Sequence, residues 1–331
     1  MRHLITGGGG FIGSHLADAL VARGDEVLVI DDFSTGQLEN LEHLLEAPRF
    51  ELVQGSILDA ELVSEHVASA ECVYHLASAV GVQLIVRHPL NSLLTNMRGN
   101  DNVISAAARH QKRLLFTSTS EVYGKNSGGR LDENADRVLG SPFKSRWSYA
   151  GSKALGEALA HAYYTERGTP AIVVRLFNTV GPRQSGAYGM VLPRFVTQAL
   201  RGEDLTVYGD GTQTRCFVHV ADTVRALVQL LGEERAIGNV YNVGSSEPVT
   251  IIDLARRVIE QTESQSRVRL VPYEEAYEPG FEELGDRVPD TGALRELTGW
   301  TPTLSVEEMI NDVVGYEGNR VDGTARTSAV V

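Results

Sequence analysis

Residues 4–13 read LITGGGGFIG, an apolar run, then four consecutive glycines, then the start of an amphipathic pattern. Gly7, Gly10 and Gly13 fall in the spacing GxxGxxG, directly after a predicted strand and directly before a predicted helix. Removing side chains there lets backbone N–H groups approach a pyrophosphate at the helix N-terminus, where the macrodipole favours negative charge. Gly13 also lets the helix pack close to the sheet. Asp31 and Asp32 end the second predicted strand about 20 residues further on, where a carboxylate accepts from ribose hydroxyls and repels an additional phosphate. The reading is a dinucleotide site that takes NAD rather than NADP.

The pattern continues outward from that loop. Short apolar strands at 3–6, 26–30, 50–54, 72–76, 114–118 and 171–176 alternate with helical patterns around 12–22, 60–70, 93–109 and 148–167. This rhythm predicts an α/β fold, a Rossmann-like doubly wound parallel sheet with helices on both faces. After Gly181-Pro182 the rhythm breaks, with helices near 192–201, 221–231 and 251–262 and a short strand ending in TVYGDG. The expected organisation is a cofactor-binding domain at 1–177 and a smaller, mostly C-terminal substrate-binding lobe at 178–316, with the chain free to cross between them. The end, 317–331, lacks periodicity and is expected to be a flexible tail.

Composition excludes several classes. A formal net charge of −13 over 331 residues argues against nucleic acid or an anionic membrane as partner, since either needs a basic face. No stretch has the length and apolarity of a membrane span. The N-terminus lacks a signal-peptide pattern, and the two cysteines, Cys72 and Cys216, lie in apolar runs, so a cytoplasmic location is expected. The nine histidines show no metal-binding spacing, and His75 and His219, beside apolar runs, read as packed core residues; no metal is expected.

Chemistry enters at SRWSYAGSK, which places Tyr149 and Lys153 one turn apart on one helix face. A phenol with an ordinary pKa of about 10 is a poor base at neutral pH, and a neighbouring ammonium makes its phenolate accessible. Thr119, in TSTSEVYG, follows a strand and supplies a hydroxyl able to share the reacting proton.

Glycine loop, strand-end hydroxyl, tyrosine and lysine together resemble the extended short-chain dehydrogenases/reductases of the nucleotide-sugar type, over roughly residues 2–315. The resemblance implies that Thr119, Tyr149 and Lys153 oxidise a sugar hydroxyl at C4 with tightly held NAD, and that Phe11, Ile12, Leu76 and Ala77 join the glycines around the cofactor. One departure lies in QGSILD, where relatives carry Asp in place of Ser56. RLFNTVGPR, VLPRF and LTVYGDGTQTRCFVHVAD resemble the family's nucleotide-sugar half. They imply that Asn178 and Arg215 contact the diphosphate, that Arg183 and Arg194 join the substrate site, and that Thr206 and Tyr208 lie near the uracil.

Residues beside the triad separate the branches. In hexose 4,6-dehydratases the middle residue of the strand-end motif is an acid, whereas here it is Ser120. In simple 4-epimerases the two residues after the catalytic hydroxyl are small and uncharged, whereas here the second is Glu121. Thr119, Ser120 and Glu121, with Arg146 three residues before Tyr149, Arg183 ending FNTVGPR and Arg287 in RVP, resemble UDP-glucuronic acid decarboxylases. Oxidation at C4 turns the C5 carboxylate into a β-keto acid, whose electrons have a carbonyl to enter. The resemblance implies that Arg287 orients the carboxylate and assists protonation at C5, while Ser120 and Glu121 position the sugar. The product this resemblance implies is UDP-4-keto-pentose, or UDP-xylose after re-reduction. The rivals are a UDP-sugar 4-epimerase, which leaves substrate mass unchanged, then a 4,6-dehydratase or a redox-inert NAD-binding protein. Leu94, Met97, Leu155 and Leu159 are positions that relatives pair across a two-fold axis, so a homodimer is expected.

Overall fold

The computed structural model describes residues 1–81, 88–126, 129–186, 190–276 and 285–328, without the side chains of Arg146 and of residues 321–328. Seven parallel strands form the central sheet: β1 (Arg2–Thr6), β2 (Glu26–Asp31), β3 (Phe50–Gln54), β4 (Cys72–His75), β5 (Arg113–Thr119), β7 (Ala171–Leu176) and β11 (Val240–Val243). The spatial order is β11-β7-β5-β4-β1-β2-β3. Continuous apolar runs such as Leu28, Val29 and Ile30 are buried on both faces, as a sheet covered by helices on both sides requires.

The helices α1 (Phe11–Ala22), α2 (Ala60–Ser69), α3 (Pro89–Arg109) and α4 (Arg146–Arg167) are the crossovers, and each covers the segment its apolar periodicity predicts. One core lies under α1 and a later helix, with Leu16, Leu20, Val29 and Leu227; another lies under α2, α3 and α4, with Val63, Val103, Ile104 and Phe116. Strand order reverses between β1 and β4. Ligands bind at the carboxyl ends of such a sheet, beside that switch.

A second layer rests on this edge. It contains the paired strands β6 (Arg130–Leu131) and β14 (Val288–Pro289), the sheet of β8 (Asn178–Val180), β10 (Thr214–His219) and β12 (Pro248–Thr250), and the pair β9 (Leu205–Tyr208) with β13 (Val268–Val271). Helices α5 (Val191–Leu200), α6 (Val220–Gly232), α7 (Ile251–Gln261), α8 (Tyr273–Ala276), α9 (Gly292–Thr298) and α10 (Val306–Ser328) complete the chain. Phe195, Val207, Leu254, Met309 and Ile310 form its own core.

Two features differ from the sequence pattern. Strand β11, only four residues long, brings the chain back from the second layer to pair with β7, Asn242 opposite Arg175. The segment from residue 317 is helical at its start: α10 runs to Ser328, with Glu317 buried and paired to Arg320 at 3.3 Å. Helical i,i+3 pairing supports a stretch whose apolar periodicity is weak. No described helix is long and apolar enough to cross a membrane.

Candidate functional site

A cavity of about 740 Å³ opens along the carboxyl ends of β1, β2, β4, β5 and β7 and continues beneath the second layer. Its floor is the glycine loop. Gly7 has a left-handed φ of +77°, and a Cβ there would lie 2.6 Å from the Ala77 nitrogen; a Cβ on Gly13 would lie 2.2 Å from the Gly7 carbonyl oxygen. Both positions exclude any side chain. Gly10 is different: a Cβ there would meet only the Gly7 oxygen, at 3.3 Å, and would project into the cavity at the N-cap of α1. Packing does not demand this glycine, and an anion laid on the helix N-terminus does. The loop therefore fits a dinucleotide pyrophosphate.

Asp31 holds that loop from below. Its carboxylate accepts from the backbone N–H of Gly9 and of Phe33, each at 2.8 Å. Burial pushes its pKa up, against those two N–H donors, and the Asp32 charge adds to the rise. Asn40 braces the same loop by donating to the Gly9 carbonyl at 2.9 Å. Asp32 is exposed at the rim and accepts from the Ser34 N–H. Phe11, Ile12, Leu76 and Ala77 line the cavity with them. Ser56 points elsewhere, accepting from the Leu58 N–H at 3.4 Å, while its neighbours Gly55 and Ile57 line the wall.

Among the described residues no group of three or more His, Cys, Asp or Glu side chains is placed to hold a metal ion. His75 is fully buried, sharing a 2.8 Å hydrogen bond with Thr6 through Nδ1 and a 3.1 Å hydrogen bond with Asn100 through Nε2. Burial, with the nearby Lys153 charge, holds its pKa down to about 3, so it stays neutral. His219 caps α6, accepting from the Ala221 N–H, and pairs with Asp312 at 2.9 Å.

Above the loop stand the residues with proton-transfer chemistry. Thr119 ends β5, and its hydroxyl accepts from the Glu121 N–H at 3.2 Å, which leaves its own O–H to donate. This hydrogen bond opens a short 3₁₀ turn, Ser120–Tyr123, that turns Ser120 and Glu121 into the cavity. Tyr149 and Lys153 project from α4 into the same space. Lys153 is buried, donates to the Thr117 carbonyl at 2.9 Å and sits over the Phe116 ring. Burial pulls its pKa down to about 7, against the negative charge of Glu157 one turn further along α4. Glu157 is itself clamped by Arg175 of β7, at 3.0 and 2.8 Å to its two oxygens, and accepts from the Ser118 hydroxyl. A bidentate pair of this kind fixes both position and orientation.

At the other end, Arg287 reaches Ser120 from the far side, its Nη1 donating to the hydroxyl oxygen at 2.9 Å. Arg287 is buried, delivered by the segment immediately before β14. Asn178, Arg183, Arg194, Tyr208 and Arg215 line the cavity too. Asn178 donates to the Cys216 carbonyl at 3.2 Å, and Arg215 to the Thr214 carbonyl at 2.7 Å. Arg194 stacks over Tyr208, 4.1 Å from its centroid. Arg183 pairs with Asp18 at 2.8 Å from a backbone φ of +66°, a strained conformation of the kind that clusters at functional sites.

Thr206 does not line the cavity: it lies on the same face of β9 as Tyr208, which does, but its hydroxyl accepts from Gln198 of α5 at 3.1 Å. Arg146 begins α4, and its side chain lies outside the described residues. Sequence reasoning missed Asn40, Gln213, Phe217 and Tyr273, all of which line the cavity. Only Asn40 carried a signal, an amide soon after the Asp31-Asp32 strand end.

A glycine loop at the switch of a doubly wound sheet, sharing one cavity with a strand-end threonine and the Tyr149–Lys153 helix, defines an extended short-chain dehydrogenase/reductase. The family model for GDP-mannose 4,6 dehydratase matches residues 4–313, and the chain belongs to that family. A UDP-N-acetyl-α-D-glucosaminuronate decarboxylase from Bacillus cytotoxicus is 40% identical over 95% of this chain and 97% of the relative. UDP-glucuronic acid decarboxylase 1 of Arabidopsis thaliana is 36% identical over 97% of this chain and 71% of the relative. Among solved structures, the UDP-glucuronic acid 4-epimerase of Bacillus cereus, in complex with UDP-glucuronic acid and NAD, superposes with a TM-score of 0.84 at 28% identity, covering 96% of this chain and 98% of that one.

Proposed function

We propose that this chain is an NAD-dependent decarboxylase of a UDP-linked uronic acid, with UDP-glucuronic acid as substrate. The observation that carries the reading is the buried Arg287 guanidinium held on Ser120, in the cavity that also receives Tyr149 and Lys153. A 4-epimerase has to let its keto sugar turn over and gains nothing from a fixed guanidinium at this end. The decarboxylase relatives point the same way.

In this reading residues 1–177 carry the dinucleotide and 178–316 most of the sugar nucleotide. Gly7, Gly10 and Gly13 cradle the pyrophosphate, and Asp31 and Asp32 meet the ribose. Bound NAD supplies the oxidant at C4 and, once reduced, the reductant for the returning ketone. Tyr149 takes the C4 hydroxyl proton, with Thr119 donating a hydrogen bond to the same oxygen and Lys153 favouring the phenolate. Arg287 holds the C5 carboxylate out of the plane of the forming enolate, so that the C5–carboxylate bond breaks into the C4 carbonyl. Carbon dioxide leaves, C5 is protonated, and Ser120 and Glu121 fix the pyranose. Asn178, Arg183, Arg194 and Arg215 hold the diphosphate and Tyr208 the base. A homodimer through α3 and α4 is supported by the exposure of Met97 and Leu155, whereas Leu94 is half-buried and Leu159 packs against the sheet core; a reducing, cytoplasmic location is supported by two buried free cysteines.

A second substrate, UDP-N-acetylglucosaminuronic acid, is favoured by the higher identity to the Bacillus cytotoxicus enzyme. Mass spectrometry of the purified protein with NAD and each of the two uronates separates the readings. The expected result is loss of the mass of carbon dioxide from one of them; an unchanged mass with a new stereoisomer by NMR would replace decarboxylase with epimerase.

A further inference from the structure

Arg287 stands on a thin support. The segment that carries it contributes two residues, Val288 and Pro289, to a parallel pair with Arg130 and Leu131. A pair this short is not stable by itself, and Pro289 has no N–H to give it. Something else must hold the strap in register.

The support comes from β11. Asn242 is fully buried, and its Nδ2 donates to the Leu131 carbonyl at 2.9 Å, on one strand of the pair, and to the Asp290 carbonyl at 3.0 Å, immediately after the other. The Asp290 N–H donates to Leu131 as well, at 2.9 Å. Two carbonyls facing one amide nitrogen dictate which way the amide is turned, so Oδ1 points to the other side. There it accepts from the Tyr123 hydroxyl at 2.8 Å. Tyr123 closes the 3₁₀ turn that begins with Ser120, the partner of Arg287. The Tyr123 oxygen in turn accepts from Arg175 at 2.9 Å, and Arg175 clamps Glu157 on the Tyr149–Lys153 helix.

We propose that Asn242 is a positioning residue for Arg287, fixing the strap to the Ser120–Tyr123 turn through one amide. The inference rests on the decarboxylase reading and adds a separation of steps. Oxidation at C4 depends on α4, which the Glu157–Arg175 pair holds directly and which the Asn242 side chain reaches only at second hand, through the Tyr123 hydroxyl. Cleavage of the C5–carboxylate bond depends on Arg287, which Asn242 places. In that cleavage the bond's electron pair enters the C4 carbonyl, carbon dioxide departs and C5 takes a proton, so a carboxylate turned into the enolate plane slows this step alone. Misplacement by about 1 Å is enough to cost about 100-fold.

The test measures two signals in one enzyme loaded with NAD: near-ultraviolet absorbance of reduced nicotinamide for oxidation, and release of carbon dioxide. With whichever UDP-uronate the wild type turns over, Asn242→Ala is expected to slow carbon dioxide release about 10- to 100-fold and oxidation less than about 3-fold. The 4-keto uronate then accumulates. Tyr123→Phe, which keeps the ring against Phe177, is expected to shift the ratio in the same direction by a smaller factor. In an Arg287→Gln background, Asn242→Ala is expected to add nothing, because its effect passes through that guanidinium. Equal loss of both signals in Asn242→Ala, or a full additional loss in the Arg287→Gln background, overturns the positioning role. If Asn242→Ala does not fold, Tyr123→Phe decides alone, and an unchanged ratio there rejects the proposal. A wild type that oxidises neither uronate, or oxidises one without releasing carbon dioxide, overturns the decarboxylase reading itself.

Discussion

At one end of the cavity a loop of consecutive residues is wedged between strand and helix, with Gly7 against Ala77 and Gly13 against the Gly7 carbonyl. At the other end, Ser120 meets Arg287 across 167 positions of sequence, and the contact hangs on hydrogen bonds from Asn242 and Asp290. The first end is held by packing that admits no added atom at Gly7 or Gly13. The second is held by directional bonds between segments with little apolar area of their own. Damage at Gly7 or Gly13 is therefore expected to fall on stability and cofactor binding together, and damage at the second end, on the proposed function, on one chemical step.

The two ends meet at α4, and breaking that junction gives the largest effect. Tyr149→Phe removes the proposed proton acceptor of the oxidation while keeping the ring. Turnover of the UDP-uronate is expected to fall about 10²- to 10⁴-fold, with the urea midpoint little changed. Retained turnover would remove Tyr149 from the reaction and with it the oxidative opening step.

The packed end can be split into its two kinds of glycine. Gly13→Ala places a Cβ 2.2 Å from a backbone oxygen and is expected to cost about 3 kcal/mol in urea unfolding of the apo protein. Gly10→Ala makes one tight contact, its Cβ 3.3 Å from the Gly7 oxygen, and is expected to cost no more than about 1 kcal/mol of apo stability, while weakening NAD binding at least about 10-fold by calorimetry. Equal affinity for NAD in Gly10→Ala would break the assignment of that glycine to the pyrophosphate.

The same contrast decides what could be read from the sequence. The first six strands of the central sheet, their crossover helices and the glycine loop announce themselves because each is a local pattern: apolar runs bounded by turns, or residues three and four apart. Tyr149 with Lys153 is legible for the same reason, one helical turn. Strand β11 is not, because four residues with a polar Asn242 in the middle carry no periodicity, and their burial comes from β7 and the strap rather than from neighbours in sequence. Thr206 was expected at the base and instead meets Gln198, a partner that only the fold supplies. Arg287 was reached through family resemblance alone. Its polar surroundings in sequence, LGDRVPD, give no sign that it is buried against Ser120.

Away from the cavity, one carboxylate ties α6 to the segment that leads into α10, and it yields the smallest effect with a definite pH dependence. Asp222, in the first turn of α6 on the cofactor side, is buried and accepts from the Thr303 N–H and hydroxyl, each at 2.8 Å, from the Leu304 N–H at 3.3 Å, and from Arg225. Residues 303 and 304 lead directly into α10, whose Met309 and Ile310 belong to the core of the second layer. Burial works against ionisation of Asp222, but the Thr303 N–H, Arg225, the Thr303 hydroxyl and the Leu304 N–H together outweigh it and hold the carboxyl below its ordinary value of 3.8. A carboxylate depressed in the folded state binds fewer protons there than in the unfolded chain. Its stabilisation is complete above the unfolded value and disappears as pH falls through the folded one. Asp222→Asn is therefore expected to lower stability by about 2 kcal/mol at pH 7 and to approach the wild type as the pH drops below about 4. Urea midpoints across that range check it. A difference that stays constant with pH would mean that the tie between the layers is steric, made by Thr303 and Trp300 against α6, and that the charge of Asp222 contributes nothing to it.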